Sequence, residues 1–269
     1  MSVLLRRVRR WLDYLRPGKP VLDYIELQFE DRCNLNCAGC SHYSPLVVEP
    51  GRVSREETLA SLRKLAAKFS HIRHVRIVGG EPLLDERLLV TLSEIRAVLP
   101  KSRIAVVTNG ILLLSKAGDW FEKCRRLDIK FSFSVYPPVA AKTEEILEKV
   151  SAAGIEIHAI PCKVFLAKLD LKASGGCRKR FRHCRLHAYC PFLRNGRIYP
   201  CAESALAGFY NVKFGENIPA CEGLIVDTCS GRQILKYLMT PIAHCAYCAE
   251  SQRSFDWHRS DQQAGEWQI

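Results

Sequence analysis

Residues 74–110 read HVRIVGGEPLLDERLLVTLSEIRAVLPKSRIAVVTNG. The stretch opens on a short β-rich run, HVRIV, and closes on another, RIAVV. Between them Leu88, Leu92, Ile95 and Leu99 recur at the spacing of one helix face. Strand, helix and strand in so short a span make a βαβ unit, whose two strands run parallel. Each strand runs into polar or glycine-rich residues: Gly79-Gly80-Glu81-Pro82 after the first, Thr108-Asn109-Gly110 after the second.

The same alternation continues outward in both directions. Upstream, LDYIELQFE (22–30) reads as a strand and SREETLASLRKLAAKF (54–69) as a helix. Ser54 is its N-cap, Glu57 completes a capping box, and Thr58, Leu59, Leu62, Leu65, Ala66 and Phe69 form its apolar face. Downstream follow a helix at 115–127, the strand IKFSFSV (129–135), a helix at 142–153 and the strand IEIHAI (155–160). The expected class is α/β: a parallel sheet with helices outside, open or closed into a barrel. Chemistry in such folds gathers at the carboxyl ends of the strands. The Cys33–Cys40 loop, Gly79–Pro82, Thr108–Gly110, Ser134–Tyr136 and Cys162 all fall there.

The loop after the first strand, DRCNLNCAGCSHYSPL (31–46), spaces three cysteines as C-x3-C-x2-C. A closed tetrahedral zinc site or a fully ligated cubane takes four thiolates. Three thiolates on one loop hold a [4Fe–4S] cluster with one iron open to a partner that is not protein. A second cysteine-rich region begins after residue 162, where the alternation stops. PFLRNGRIYPC (191–201) reads as a hairpin turning at Asn195-Gly196. Cys184, Cys190 and Cys201 surround it, and HCAYC adds Cys245 and Cys248. On spacing alone this region is either a zinc-stapled lobe or a second iron–sulfur site.

Composition sets outer bounds. With 269 residues, 48% hydrophobic and 25% charged, the chain has ordinary globular composition. No apolar run reaches membrane-spanning length, and the N-terminal stretch lacks the apolar core of a secretion signal. Thirteen cysteines then read as metal ligands rather than disulfides, and the expected location is the cytoplasm. The net charge of +12 is concentrated in two places. Residues 1–20 carry six Lys/Arg against Asp13, and residues 171–185 carry Lys172, Arg178, Lys179, Arg180, Arg182 and Arg185 with no acid. Such fields favour an anionic partner; a nucleic acid is not expected. Within residues 1–16, Leu4, Val8, Trp11, Leu12 and Leu15 share a helical face, with Arg6, Arg7, Arg9 and Arg10 mostly off it. This helix either docks on the barrel or lies on an anionic membrane surface, which suits a lipid-linked glycan substrate.

CNLNCAGC (33–40) followed by GGEP (79–82) resembles the radical S-adenosylmethionine (SAM) superfamily, and the resemblance covers nearly the whole chain. It implies a partial (β/α)5-6 TIM-like barrel. It also implies that Cys33, Cys37 and Cys40 ligate the cluster while SAM chelates the fourth iron. Gly79, Gly80, Glu81 and Pro82 would then hold the SAM amino group, with Glu81 offering a carboxylate to the ammonium. Thr108, Asn109, Ser132 and Ser134 resemble the polar contacts to the SAM carboxylate and ribose. The family's hydrophobic residue before the third cysteine is here Gly39, so adenine packing is expected from His42 or Tyr43.

The C-terminal region is similar to the Twitch type of auxiliary-cluster domain, half of a SPASM domain. Cys184, Gly196 and Cys201 match its first half and Cys245-x2-Cys248 its second, while Ser254 stands where the full SPASM pattern has another cysteine. The resemblance implies a second [4Fe–4S] cluster on Cys184, Cys201, Cys245 and Cys248 in a small β-hairpin/helix domain. The chain then divides into a basic helix (1–20), a radical SAM core (21–165), a basic linker (166–182), the Twitch domain (183–250) and a tail (251–269). This architecture is similar to the aminocyclitol dehydrogenase of butirosin biosynthesis. The CNLNCxxCSHxSPL motif and the tail residues Trp257, Ser260, Glu266 and Trp267 resemble radical SAM proteins linked with surface polysaccharides.

The activity implied is reductive cleavage of SAM, driven by an external one-electron donor such as flavodoxin or ferredoxin, and removal of a hydrogen atom from substrate. Only about twenty residues precede the first strand, fewer than the peptide-recognition domain of peptide-modifying members. A small anionic substrate, such as a nucleotide-linked or phosphorylated sugar, is therefore expected, and its dehydrogenation is the preferred reaction. Alternatives are a peptide-modifying enzyme, a redox-neutral sugar epimerase with Cys162 as hydrogen donor, and a non-catalytic two-cluster electron carrier. Of the other cysteines, Cys124, Cys190, Cys221 and Cys229 read as packing residues and Cys177 as a candidate substrate-side thiol.

Overall fold

The computed structural model describes residues 3–48, 53–184 and 190–269. Arg185 and the side chains of Leu4, Arg6 and Arg7 lie outside the described residues. The elements in chain order are α1 (Val3–Leu15), β1 (Val21–Glu30), α2 (Arg55–Lys68), β2 (His71–Gly79), α3 (Leu88–Val98), β3 (Arg103–Thr108), α4 (Gly118–Arg126), β4 (Ile129–Val135), α5 (Thr143–Ala152) and β5 (Ile157–Pro161). Then come β6 (Val164–Leu169), α6 (Cys177–His183), β7 (Phe192–Arg194), β8 (Arg197–Tyr199), α7 (Ala202–Phe214), β9 (Leu224–Ile225), α8 (Gly231–Leu238) and β10 (Cys248–Asp256).

An eight-stranded sheet in the order β5-β4-β3-β2-β1-β7-β8-β9 organises the molecule. Strands β1 to β5 pair in parallel, as the βαβ reading requires. Side chains alternate across each strand. Ile25, Leu27, Val75, Ile77, Ile104, Val106, Phe131 and Phe133 join the main hydrophobic core, together with Leu59, Leu62 and Leu65 of α2. The intervening positions Tyr24, His74, Arg76, Arg103, Lys130, Ser132 and His158 line a cavity on the sheet's other face. This face leads to the functional site.

The C-terminal region builds directly onto the sheet. β7 pairs in parallel with β1, Glu26 opposite Phe192, and β8 returns antiparallel to it. Asn195 and Gly196 have φ of 46° and 77°, the left-handed pair a two-residue hairpin turn needs. The hairpin tip also caps α2. Ser54 Oγ accepts from the Glu57 N–H (3.2 Å), but the Ser54 N–H donates to Asn195 Oδ1 (2.8 Å) rather than to Glu57. The expected capping box is thus half local and half tertiary.

The expected linker at 166–182 is not one throughout. β6 crosses its boundary and pairs antiparallel with β10 from the C-terminal region. A second apolar cluster, with Tyr43, Leu46, Phe192, Leu206, Tyr210 and Trp267, ties α7 and the tail to the cysteine loop. Among the described residues no helix is long and apolar enough to cross a membrane.

Candidate functional site

Cys33, Cys37 and Cys40 line one cavity of about 170 Å³ with Gly79, Gly80, Glu81, Thr108, Asn109 and Ser134. Backbone close approach assembles it. A Cβ on Gly80 would lie 2.0 Å from the Arg32 carbonyl oxygen, and one on Gly79 2.3 Å from that of Glu30. Without side chains there, the Gly80 N–H donates to Glu30 O (2.9 Å) and the Glu81 N–H to Arg32 O (2.8 Å). The glycines therefore seat the end of β2 against the chain that leads into the cysteine loop.

The Glu81 carboxylate, expected to face an ammonium, also makes bonds within the fold. It is buried, and it accepts from the Leu83 N–H (3.0 Å), Thr108 Oγ1 (2.7 Å) and the Asn109 N–H (2.8 Å). Burial raises its pKa while these donors oppose the shift. The carboxylate brackets the ends of β2 and β3. Pro82 starts the short 3-10 turn that follows. Asn109 Nδ2 in turn donates to Asn34 Oδ1 (2.6 Å) on the cysteine loop.

The donor chemistry fits a thiolate-held iron–sulfur group. Burial, reinforced by neighbouring Cys40, pushes the Cys33 and Cys37 thiols up to about 12. A cationic centre removes that penalty, since a coordinated thiol is deprotonated outright. N–H donors already face the sulfurs: Trp257 Nε1 lies 3.0 Å from Cys37 Sγ and the Leu35 N–H 3.4 Å from Cys33 Sγ. His42 lines the same cavity, and its buried Nε2 has no hydrogen-bond partner among the described residues. Burial holds that imidazole neutral, with its pKa down to about 4. Among the described residues no group of three or more His, Cys, Asp or Glu is placed to hold a single metal ion.

The loop, the glycine motif and the strand ends coincide with a known family. Residues 27–150 match the radical SAM superfamily. They form a radical SAM domain. Among curated proteins the chain is 36% identical over 98 residues to the GTP 3′,8-cyclase of Listeria monocytogenes, covering 36% of this chain and 29% of that one. It is also 36% identical over 99 residues to that of Clostridium acetobutylicum, covering 36% and 30%. The matched segment thus spans less than a third of these relatives. Among solved structures, BtrN in complex with AdoMet and 2-DOIA superposes with a TM-score of 0.55 at 16% identity, over 86% of this chain and 94% of that one. That likeness supports the fold.

The radical SAM domain sorts the remaining expected residues. Ser134 lines the cysteine cavity, whereas Ser132 lies deeper on the sheet and accepts from Arg76 Nη2 (2.7 Å). The two are separated because residues two apart on a strand share a face but stand a full repeat apart. Tyr43 is likewise displaced from its expected role: it is buried against Tyr210 and Trp267 in the second cluster. His42, the other expected residue, does line the cavity, together with Tyr136 and Phe165, whose ring centroids are 6.0 Å apart. Tyr136 follows β4 and was legible as a strand-end residue; Phe165 lies on β6, where no strand was expected. Cys162 follows β5, its N–H bound to Val135 O (2.9 Å) and its thiol 3.4 Å from Ile160 O. Burial raises its pKa, and the neighbouring Ser134 only partly opposes the shift.

Gly39 has a physical explanation in the tail. Its φ is +64°, and a Cβ would lie 2.8 Å from the Phe255 ring and 3.0 Å from Glu266 O. Beyond Phe255 the tail straps the cysteine loop. The Ala38 N–H donates to His258 O (3.1 Å), the Ser260 N–H to Asn36 O (2.7 Å) and Trp267 Nε1 to Cys40 O (2.9 Å).

Burial raises the Cys248 thiol, and Glu203, Cys201, Cys184 and Cys245 add to the shift. Burial, again with Cys184 as a neighbour, holds Cys245 up to about 11. Cys190 instead lines the cavity on the lower sheet face, and Cys221 Sγ lies 3.0 Å from the Tyr237 oxygen. Cys124 is buried in the main core and Cys177 lies 3.7 Å from Ala243 O. In the basic segment, Lys179 and Arg180 both pair with Glu250 (3.0 and 3.2 Å). Basic residues face a large cavity from the strands and from α1, whose Arg9 and Arg10 line it beside Asp23, and Arg103 and Lys130 pair with Glu156. Arg76, Arg103, Lys130, His74 and His158 line a space of about 530 Å³ on the same sheet face, toward the strands' amino ends.

Proposed function

We propose that the protein is a radical SAM oxidoreductase that dehydrogenates a small anionic, sugar-type substrate. The observation that carries this reading is the layering of one sheet face: three thiols and strand-end polar groups at the carboxyl ends, a larger cavity lined by Arg76 below them. Cys33, Cys37 and Cys40 would hold a [4Fe–4S] cluster, with SAM against Gly79, Gly80, Glu81, Pro82, Thr108, Asn109 and Ser134. When bound, the pair supplies reductive cleavage of SAM and abstraction of a substrate hydrogen atom, given an electron from an external donor such as flavodoxin or ferredoxin. His42, Tyr136 and Phe165 would flank the adenine and exclude water. Arg76, which has no carboxylate in salt-bridge contact among the described residues, would hold the substrate's anionic group, a role the sequence suggested for residues 171–185; Arg103 and Lys130 are already paired with Glu156. Nucleotide use by the relatives named GTP 3′,8-cyclase agrees with an anionic ligand.

For a two-electron oxidation, the remaining electron needs an acceptor and the remaining proton leaves to solvent. We assign the acceptor to a second [4Fe–4S] cluster on Cys184, Cys201, Cys245 and Cys248. A redox-neutral epimerisation is the second reading, favoured by the position of Cys162 directly after β5, its N–H bound to Val135 O next to the cavity-lining Ser134. Turnover in deuterium oxide separates the two. Oxidation yields a product two hydrogens lighter, carries no solvent label at carbon and tolerates Cys162→Ala. Epimerisation yields a product of unchanged oxidation state with one deuterium at the inverted carbon, and Cys162→Ala stops it.

A further inference from the structure

Helix α1 is built inside out. A surface helix ordinarily turns its apolar stripe to the core and its charges to water. Here Val8, Trp11, Leu12 and Leu15 are 48%, 53%, 63% and 67% exposed, while Arg10 and Asp13 are 8% and 7% exposed. Leu5, one turn earlier on the same stripe, is also exposed. The inward charges are seated by specific partners. Arg73 Nη1 lies 3.0 Å from Asp13 and 3.2 Å from Asp23, and Arg10 Nη1 donates to the Leu238 carbonyl at the end of α8 (3.1 Å). Arg9 adds a contact of 3.4 Å to Asp23, and Tyr14 packs against the main core. These polar contacts fix the rotation of the helix, so the apolar stripe points outward by construction.

The geometry points to an anionic bilayer surface as the occupant of that stripe. Charge selects it: Arg16 and Lys19 are exposed just beyond the stripe, and the one acid of residues 1–20, Asp13, is buried against Arg73. The stripe is therefore apolar with exposed cations at its carboxyl end and no exposed acid within residues 1–20, a pattern suited to the headgroup region. Trp11, whose ring is apolar with one polar edge, belongs at such a boundary. At 13 residues, α1 is about 20 Å long, enough to lie along the interface and too short to cross it.

The test is co-sedimentation of the full chain with phosphatidylcholine vesicles made with and without phosphatidylglycerol. The expected result is binding that needs phosphatidylglycerol, weakens with added salt and falls about tenfold or more in Trp11→Ser/Leu12→Ser/Leu15→Ser. Because these side chains are exposed, the variant should keep the wild-type far-UV circular dichroism and iron content. Equal sedimentation of a folded variant, or no wild-type binding at low salt, overturns the proposal. So does a concentration-dependent dimer that the variant abolishes without any lipid binding, since the stripe would then cover a second copy of the chain.

Discussion

Glu81 carries three hydrogen bonds on one buried carboxylate, joining the glycine motif to Thr108 and Asn109. Removing it leaves buried donors without partners, each a desolvation cost of about 1–3 kcal/mol. Glu81→Ala should therefore destabilise the protein by about 3 kcal/mol or more, read from its denaturation midpoint, and loosen the cysteine loop. Glu81→Gln, which keeps one acceptor oxygen, should lose less. If Glu81→Ala is as stable as wild type but no longer binds SAM, the carboxylate faces the ligand after all. Residue identity was legible at this scale and residue role only partly so. The GGEP motif marked the site, but which atoms of Glu81 point into the fold depends on β3, which lies across a helix in sequence. Gly39 was visible as a departure from the family pattern, yet its cause, Phe255, sits on the last strand of the chain.

The parallel βα units were readable from hydrophobic period because each is local: strand, helix and turn chemistry occur within a few tens of residues. The hairpin at Asn195-Gly196 was readable for the same reason. The β6–β10 ribbon was not, since its partners are far apart and its register shifts between Cys248 and Arg253. The rotation of α1 was equally hidden, because it is set by Arg73 of β2 and not by the helix's own stripe. The ribbon delivers Trp257 to Cys37, and hydrogen bonds to cluster sulfurs stabilise the reduced state. Trp257→Phe should accordingly shift the SAM-site cluster to a more negative midpoint potential in an anaerobic redox titration, with the proposed second cluster unmoved. An unchanged potential contradicts the strap's proposed contact.

At the scale of the whole molecule, the C-terminal region joins the radical SAM domain at three levels. β7 extends the sheet, the tail straps the cysteine loop, and Arg194 makes a buried two-point ion pair with Asp31 (2.6 and 2.9 Å) just before Cys33. A void of about 20 Å³ touches both Gly39 and Cys248, so the two cysteine regions are neighbours. The account's central claim is that these regions are separate four-iron sites and that only the first cleaves SAM. Its most direct test is iron content and 5′-deoxyadenosine formation after anaerobic reconstitution, for wild type and for Cys33→Ala/Cys37→Ala/Cys40→Ala. The account predicts about eight irons and SAM cleavage for wild type, against about four irons and no cleavage for the variant. A variant that keeps all its iron, or a fully loaded and reduced wild type that makes no 5′-deoxyadenosine, would contradict it.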